Sequence, residues 1–160
     1  MKIMVVSDTH GSIEQVLEQY HKLNEVDLVI HLGDSCRDAE RINDMVDSEV
    51  IYIKGNIDSE PSEESHKIIQ MLGHKMLLTH GHTEKVKSGL LQLYYKALSL
   101  SCEIVLFGHT HIPVYQQEGN VLLINPGSLV KPKGGNLPSF ALLTIKEYTA
   151  SAEIIFPEIS

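Results

Sequence analysis

Five apolar runs in this chain each end in side chains that could bind a metal ion. The runs read IMVVSDTH, LVIHLGD, VIYIKGN, MLLTHGH and IVLFGHTH. They provide seven candidate ligands: Asp8, His10, Asp34, Asn56, His80, His109 and His111. Mixed carboxylate, amide and imidazole ligands suit Mn, Fe, Zn or Ni better than Ca, which prefers oxygen ligands throughout. The run ends therefore predict a site for borderline divalent metal ions.

The spacing of the ligands indicates how they could converge. Asp8 and His10 are separated by one residue, as are His109 and His111. In an extended chain residues i and i+2 point the same way, so each pair could present two side chains to one centre. Glycine adjoins the ligand at four of the five ends, where we expect it to let the backbone turn sharply. These glycines are Gly33, Gly55, Gly81 and Gly108.

The number of ligands favours two ions rather than one. Seven ligands are too many for one tetrahedral ion, but they fit two ions about 3.5–4 Å apart with one carboxylate bridging them. Asp34 is the expected bridge, because it follows a strand predicted to be central. A single Asp or His at a strand end is usually a cap or a surface group, and only the repeated pattern favours metal binding. The other histidines outside this pattern, which we interpret as structural or solvated, are His21, His31, His66 and His74.

Length and composition limit the class of protein. A chain of 160 residues is the usual size of one domain. Its net charge of −8 disfavours stable nucleic-acid binding. No apolar run is long enough to cross a membrane, and we expect no signal peptide. The two cysteines are too few for a disulfide framework, so we expect reduced thiols and a cytoplasmic location.

The order of apolar patterns predicts an α/β protein. The first half alternates strand and helix, and its first helix is predicted over residues 12–24, opened by a capping box of Ser12 and Gln15. A short helix is predicted over 37–46 and a polar surface loop over 57–66. A second long helix is predicted over 84–100, between strands that meet around Gly73-His74 and the run EIVLFGHTH. A hairpin turning at Glu118-Gly119-Asn120 and a final strand pair complete a β-rich second half.

The motifs SDTHG, LGD, KGNID, THGH, FGHTH and NPGS, in this order, resemble those of the calcineurin-like metallophosphoesterases. The resemblance covers residues 4 to about 145 and is strongest to the small one-domain phosphodiesterase branch of bacteria and archaea. It implies a single domain over residues 1–160, folded as a four-layer αββα sandwich of two mixed β-sheets flanked by helices. It also implies a two-metal site. One ion would be held by Asp8, His10, Asp34 and His111, and the other by Asp34, Asn56, His80 and His109.

The activity that this resemblance implies is metal-dependent hydrolysis of a small phosphoester, with a diester as the expected substrate. A hydroxide bridging two divalent ions would attack phosphorus in line. Asn56 would ligate one ion and donate from its amide to a phosphoryl oxygen. Mn is the expected metal, with Ni, Mg, Zn and Fe as alternatives, and a homodimer is the assembly implied.

The source of the leaving-group proton stays open. Ile57 stands where larger members of the superfamily have histidine and the small branch often has cysteine, and isoleucine cannot transfer a proton. Asp58 could orient His10 or another site imidazole, and His82 could act as a substitute acid. Lys133 could contact phosphate or could be a solvated loop residue.

Two other functions also stay open. One is a protein-binding scaffold resembling the vacuolar sorting subunit of the retromer coat, and the other is a nucleotide or dinucleotide hydrolase. The complete set of seven ligand positions favours an enzyme over a scaffold that has lost part of its metal ligands.

Overall fold

The computed structural model describes residues 1–61 and 63–158. Ser62 of the predicted loop and the last two residues of the predicted domain 1–160 lie outside this part. The described residues form ten strands and three α-helices. The strands are β1 (Lys2–Val6), β2 (Leu28–His31), β3 (Glu49–Tyr52), β4 (His66–Met71), β5 (His74–Thr79), β6 (Ile104–Phe107), β7 (Pro113–Glu118), β8 (Val121–Pro126), β9 (Phe140–Lys146) and β10 (Thr149–Ile155). The helices are α1 (Glu14–Lys22), α2 (Cys36–Asn43) and α3 (Leu91–Ser99).

The strands form two mixed five-stranded sheets. The first has the order β10-β9-β1-β2-β3, with β1, β2 and β3 parallel and β9 antiparallel to both β1 and β10. The second has the order β4-β5-β6-β8-β7, with β5, β6 and β8 parallel and the two edge strands antiparallel. The parallel strands of each sheet therefore end at a common edge, where ligands in open α/β sheets usually bind.

Alternation along the strands creates the four layers. Ile3 of β1 and Leu106 of β6 point into one apolar cluster between the two sheets. Their neighbours point outward because successive strand residues face opposite sides. Met4 packs in a cluster with residues of α1 and α2, and Phe107 packs in a cluster with residues of α3. The order helix, sheet, sheet, helix confirms the predicted αββα sandwich.

The first predicted helix begins later than expected, and its predicted cap is wrong. The helix begins at Glu14, after Ile13, and no side chain caps it. The Ser12 hydroxyl donates instead to Oε2 of Glu14 at 2.8 Å. The capping-box spacing was therefore present without the capping contact.

The second predicted helix is also shorter than its pattern. Residues 84–90 contain only a 3-10 turn at Val86–Ser88, and Gly89 follows with φ of 132°, which ends that turn. The carboxylate of Glu84 accepts a hydrogen bond from the Thr79 hydroxyl at 3.0 Å and pairs with Lys96. Tertiary contacts thus fix this segment as a turn, and α3 begins at Leu91.

Two smaller boundaries also differ from prediction. The helix predicted over 37–46 is α2, which spans Cys36–Asn43. His66, which was predicted to lie in a loop, is the first residue of β4. Among the described residues, no helix is both long and apolar enough to cross a bilayer.

Candidate metal centre

The structure brings the predicted ligands into two adjacent groups at the ends of the parallel strands. Ligand atoms of the first group lie within 4.8 Å of one another and come from Asp8, His10, Asp34 and His111. The second group, within the same limit, consists of Asp34, His80 and His109. Asn56 adjoins the second group, with its Oδ1 3.1 Å from Nε2 of His80. The two groups share Asp34, the residue expected to bridge.

Short distances separate the ligand atoms within each group. In the first group, Nε2 of His111 lies 3.3 Å from Oδ1 of Asp8 and 3.2 Å from Nε2 of His10. In the second, Nε2 of His80 lies 3.4 Å from Oδ1 of Asp34 and 3.2 Å from Nδ1 of His109. Such approaches between atoms that can all accept hydrogen bonds are favourable when a cation lies among them.

The backbone at the ligands is left-handed, which differs from the extended geometry predicted for the two pairs. β1 ends at Val6 and β6 ends at Phe107, before either pair begins. Positive φ values occur at five of the seven ligands: Asp8 (57°), His10 (47°), Asp34 (55°), His109 (69°) and His111 (59°). Each such residue costs about 1–3 kcal/mol and persists only where its surroundings impose it. The pairs therefore converge through strained turns.

Backbone hydrogen bonds hold two of these turns together. The amide of Asp8 donates to the Gly33 carbonyl at 3.0 Å, and the amide of His10 donates to the Asp34 carbonyl at 3.2 Å. The turn after β1 is thereby attached to the turn after β2. Ligands from two neighbouring strands are thereby fixed relative to each other.

Two glycines are required for space rather than for turning. Gly33 and Gly81 have positive φ, as the prediction of sharp turns requires, but Gly55 and Gly108 do not. A Cβ at Gly55 would lie 2.0 Å from Oδ1 of Asp34, and one at Gly108 would lie 2.0 Å from the Ser7 hydroxyl oxygen. These two glycines let backbone approach the carboxylate ligands closely.

Hydrogen bonds to the backbone set the orientation of two imidazoles. Nδ1 of His80 lies 2.7 Å from the Leu32 carbonyl oxygen, and Nδ1 of His111 lies 2.7 Å from that of Lys131. A carbonyl only accepts, so Nδ1 carries the proton in both rings. Each Nε2 lone pair then faces the cluster, which is the usual arrangement of histidines that bind metals.

A buried carboxylate oxygen without a partner shows that the cluster fits a cation. Asp8 is fully buried, and its Oδ2 accepts from the Ser7 hydroxyl at 2.6 Å and from the His109 amide at 3.0 Å. Its Oδ1 has no hydrogen-bond partner and faces the lone pair of His111. Buried polar atoms are rarely left unpaired, and a divalent ion would satisfy both acceptors. The residues present therefore fit metal ions.

The electrostatics keep the carboxylates ionised. Burial alone would raise the pKa of Asp34, but the adjacent His80 ring and the Ile57 amide lower it to about 2. Burial opposes ionisation of Asp8 in the same way, yet the positive charge that the His111 and His80 rings carry when protonated, together with the Ser7 hydroxyl, brings its pKa below the ordinary value. Both side chains therefore carry a negative charge near neutral pH, as metal ligands must.

The histidines of the second group differ in their pKa. Burial lowers the pKa of His109 to about 4, with a further decrease caused by the nearby His80 and Lys87. Burial also disfavours the charged form of His80, but the Asp34 and Asp8 carboxylates outweigh it and raise the pKa of His80. A proton thus competes with a metal ion at His80 more than at His109.

The candidate roles for Asp58 need correction. Its carboxylate accepts from the backbone amides of Asp34 at 3.0 Å, Cys36 at 2.9 Å and Gly55 at 2.7 Å. It therefore positions the turns that carry Asp34 and Asn56 instead of orienting an imidazole such as His10.

The other residues left open at the proton-transfer step lie close to the cluster. Ile57 is 57% exposed, and its amide donates to Oδ1 of Asp34 at 3.3 Å. The His82 ring centroid is 5.4 Å from that of His80, and its Nδ1 is buried without a partner. The amide of Lys133 donates to the His111 carbonyl at 3.2 Å, while its side chain is exposed.

A buried network that the sequence pattern did not predict supports the first group. The Thr9 hydroxyl donates to Oδ2 of Asp38 at 2.6 Å and lies 2.9 Å from Nε2 of His31, which is buried. The Gly11 amide donates to the same carboxylate oxygen at 2.7 Å. Asp38 thus binds the residues before and after His10, Thr9 and Gly11, and holds the turn in place. The sequence signal for this network was the position of Asp38, four residues before Ile42 and therefore on the apolar face of α2.

A third group of potential ligands does not form a comparable site. Cys36, Asp58 and Glu60 lie close together, but the carboxylate of Asp58 is occupied by backbone amides. Burial, with the neighbouring Asp58 and Glu60 carboxylates, raises the pKa of the Cys36 thiol to about 12. Because metals bind the thiolate, this protonated thiol is a poor ligand at neutral pH.

Proteins of similar sequence are small phosphoesterases. The chain is 34% identical to the probable metallophosphoesterase YsnB of Bacillus subtilis, over 94% of this chain and 88% of that protein. It is 34% identical to the phosphodiesterase YfcE of Escherichia coli, over 89% of this chain and 87% of that protein.

Solved structures of similar fold include a predicted phosphoesterase and Vps29. A predicted phosphoesterase from Streptococcus pneumoniae matches with a TM-score of 0.83 and 28% identity, over 97% of this chain and 88% of that one. Vps29 of Entamoeba histolytica complexed with zinc matches with a TM-score of 0.80 and 23% identity, over 97% and 98%. The latter likeness shows the shared fold alone.

The family assignment follows from the match over most of the chain. The model of the calcineurin-like phosphoesterase superfamily domain matches residues 1–148, which include all seven candidate ligands. The observed sandwich and the grouping of those ligands agree with that match. The chain therefore belongs to the calcineurin-like phosphoesterase superfamily, whose members depend on metal ions.

Proposed function

We propose that this protein is a phosphodiesterase that depends on two divalent metal ions. One would be held by Asp8, His10, Asp34 and His111, and the other by Asp34, Asn56, His80 and His109. The observation that carries the proposal is the pair of ligand groups sharing Asp34, together with the unpartnered Oδ1 of Asp8. When bound, two such ions would polarise phosphoryl oxygens and lower the pKa of water.

The charge of the ligand set favours an anionic substrate. Asp8 and Asp34 contribute −2, and the neutral imidazoles and amide contribute nothing. Two divalent ions contribute +4, so the loaded centre would keep a charge of +2. This local charge would attract a phosphodiester monoanion even though the whole chain has a net charge of −8.

Asn56 is the residue we propose to contact substrate directly. It is exposed at the edge of the cluster, and its Oδ1 faces Nε2 of His80. With Oδ1 directed at the ligands, the side-chain NH₂ is available to donate to a phosphoryl oxygen. Such a donor stabilises the charge that develops on phosphoryl oxygens in the transition state.

The residue beside Asn56 supports a diester with a good leaving group. Ile57 is exposed and has no group that could give a proton to a departing alkoxide. Leaving groups that depart without a proton, such as nitrophenolate, are then the best substrates. Alkyl monoesters should react slowly, because their leaving groups need an acid.

Two other functions would use the same fold. A scaffold function like that of a sorting protein would not require the full ligand set, which this chain retains. A nucleotide or dinucleotide hydrolase would use the same centre with different pocket walls. We further propose Mn as the metal, a homodimeric assembly and a cytoplasmic location, the last supported by two buried free thiols, Cys36 and Cys102.

The test is a metal-dependence assay of the purified, metal-stripped protein. Bis-p-nitrophenyl phosphate, p-nitrophenyl phosphate and a p-nitrophenyl ester of a nucleotide are assayed with Mn, Ni, Mg or Zn added. We expect metal-dependent turnover, fastest with a diester and with Mn. A folded, metal-loaded protein that hydrolyses none of the three would rule out the enzyme.

A matched pair of histidine variants tests whether turnover depends on the candidate metal centre. His10→Gln removes a ligand of the first group, whereas His21→Gln changes an exposed histidine on α1. We expect His10→Gln to lose metal content and activity, and His21→Gln to behave as the unaltered protein. Equal activity of the two variants would contradict the assigned ligand set.

A further inference from the structure

A pocket of about 380 Å³ opens next to the candidate metal centre. Its wall is largely apolar and includes Val86, Leu90, Ile112 and Val114. Two cations, Lys87 and Lys133, also line it, and both are exposed. An apolar cavity bordered by a few charged groups is the usual form of a site for a small organic molecule.

The pocket is directly connected to the turns that carry the ligands. Thr110, which lies between His109 and His111, forms part of the pocket wall. On one side the Lys133 amide donates to the His111 carbonyl. On the other side the Val86 amide donates to the Gly81 carbonyl at 3.2 Å, in the turn that follows His80. A phosphoester held at the metal centre would therefore have one ester group beside the pocket.

The polar groups of the pocket do not suit recognition of a sugar or a base edge. The Thr110 hydroxyl is already used by Nδ2 of Asn125 at 3.1 Å and by the Ile112 amide at 3.2 Å. The remaining polar groups lining the pocket are the two lysines, which attract negative charge without reading a hydrogen-bond pattern. The wall of the pocket thus favours an apolar group of the ligand, and the two lysines at its border favour an anionic group.

We infer that this pocket binds the organic ester group of the substrate, an apolar group of about the size of an aryl ring that carries a second negative charge. The inference rests on the proposed function, since the metal centre must hold the phosphoryl group. It narrows the substrate class to aryl-like phosphoesters with an additional anionic group and disfavours those with an alkyl or a neutral sugar substituent.

The apolar part is tested by comparing two phosphonates that differ in one group. Phenylphosphonate and methylphosphonate share the same phosphoryl group, so their Kd ratio on the Mn²⁺-loaded protein measures the pocket alone. We expect phenylphosphonate to bind about tenfold more tightly, as burial of an aryl ring requires. Isothermal titration calorimetry gives both constants without relying on turnover.

Variants in and next to β7 test whether the pocket causes the preference for phenylphosphonate. Val114→Trp fills the pocket and should reduce the phenyl-to-methyl ratio to near one. Tyr115→Trp changes the next residue, which faces the opposite side of β7 and is 55% exposed, and should leave the ratio unchanged. Ile112→Ala, a milder change at a residue that is 38% exposed, should lower the ratio about threefold and serves if Val114→Trp does not fold.

The anionic part is tested with 4-carboxyphenylphosphonate. We expect this probe to bind about threefold more tightly than phenylphosphonate at low salt, with the advantage decreasing as ionic strength rises. The double variant Lys87→Ala, Lys133→Ala should lose that advantage. Equal or weaker binding of the carboxylated probe to the unaltered protein would overturn the assigned anionic group.

The outcomes separate the pocket from the metal centre. Equal binding of phenyl- and methylphosphonate, or a preference that survives Val114→Trp, would overturn the pocket inference and leave the proposed function intact. Failure of both phosphonates to bind the folded, Mn²⁺-loaded protein would overturn the proposed function and the inference together.

Discussion

The two ligand groups of the candidate centre differ in charge and in the exposure of one adjoining residue. In the first group Asp8, Asp34 and His111 are buried, and two carboxylates contribute. The second group has Asp34 as its one carboxylate, and Asn56, which adjoins it, is exposed. Metal affinity increases with ligand charge and rigidity. We therefore expect the first group to hold its ion more tightly and the second to be the side that substrate approaches.

Different side chains anchor the turns that carry the two groups. The turn carrying Asp8 and His10 is fixed by Asp38 from α2, and the Ser128 hydroxyl donates to the Asp8 carbonyl at 3.0 Å. Asn56 lies in a turn whose side-chain anchor is Asp58, through the Gly55 amide. Side chains from other parts of the chain thus anchor the turns of both groups, and Asn56 is the exposed member that substrate could reach.

Loss of the shared ligand should have the largest effect. Asp34→Asn removes a charge from both groups, so we expect metal content to fall towards zero and kcat/KM for bis-p-nitrophenyl phosphate to fall by about 10³ or more. Metal content is measured by mass spectrometry after dialysis. Asp47→Asn, at an exposed carboxylate, is the control and should retain both ions. Unchanged stoichiometry in Asp34→Asn would show that this residue does not bridge.

Variants of one residue in each group should have different effects on metal content and on kcat. Asp8→Asn should release the tightly held ion, whereas Asn56→Ala should keep that ion and lower kcat about 10²-fold through loss of a transition-state donor. Metal titration and steady-state kinetics of both variants provide the measurement. If Asn56→Ala loses as much metal as Asp8→Asn, the two groups do not differ in affinity.

Acidification should empty the second group first. The pKa of His80 is raised, so protonation blocks its Nε2 at a higher pH than for an ordinary histidine. The pKa of Asp34 is about 2 and that of Asp8 is lowered, so both carboxylates stay ionised. As the pH falls, we therefore expect one ion per chain to be lost while the other remains. Simultaneous loss of both ions would contradict this order.

The smallest expected effect concerns the turn behind the second group. Glu84 is buried, pairs with Lys96 and accepts from Thr79. Glu84→Gln should lower the free energy of unfolding at pH 7 by about 2 kcal/mol, since a hydrogen-bonded charge is lost. Glu18→Gln, at an exposed i,i+4 pair with Lys22, should change it by about 0.5 kcal/mol or less.

The difference in free energy of unfolding between the unaltered protein and Glu84→Gln should change with pH in a definite direction. Burial opposes ionisation of Glu84, but Lys96 and the threonine hydroxyls lower its folded pKa below the ordinary 4.5. A lowered folded pKa stabilises the protein above the unfolded pKa, and this stabilisation decreases as pH falls through the folded value. The gap between the unaltered protein and Glu84→Gln should therefore shrink in acid. A constant gap from pH 7 to about pH 3 would show that packing, not charge, is responsible.

The succession of strands along the chain and the positions of the candidate ligands were predictable because they depend on local patterns. Short apolar runs rich in Val and Ile mark buried strands whatever lies around them, and each ended in a residue type suited to metals. The family, which the motifs resemble, and the αββα sandwich, which that resemblance implies, are confirmed. The metal role of the seven residues stays a prediction, supported by their convergence.

The errors occurred where tertiary contacts outweigh local pattern. The apolar stripe predicted a helix from residue 84, but Glu84 is held by Thr79 of β5 and Lys96 of α3, so the helix begins at Leu91. Ser12 had the spacing of a helix cap and contacts Glu14 instead. Spacing alone does not state which partner a polar side chain will find.

By itself, the sequence determined which residues could form the centre, because each candidate ligand is set by a residue type at the end of an apolar run. Only the tertiary structure decided how they meet. Left-handed turns, rather than extended pairs, direct Asp8, His10, His109 and His111 inward, and those strained conformations exist only because neighbouring turns bond to them. The structure also decided that Gly108 leaves room for Ser7 and Asp8, a role that depends on the distance between strands far apart in the chain.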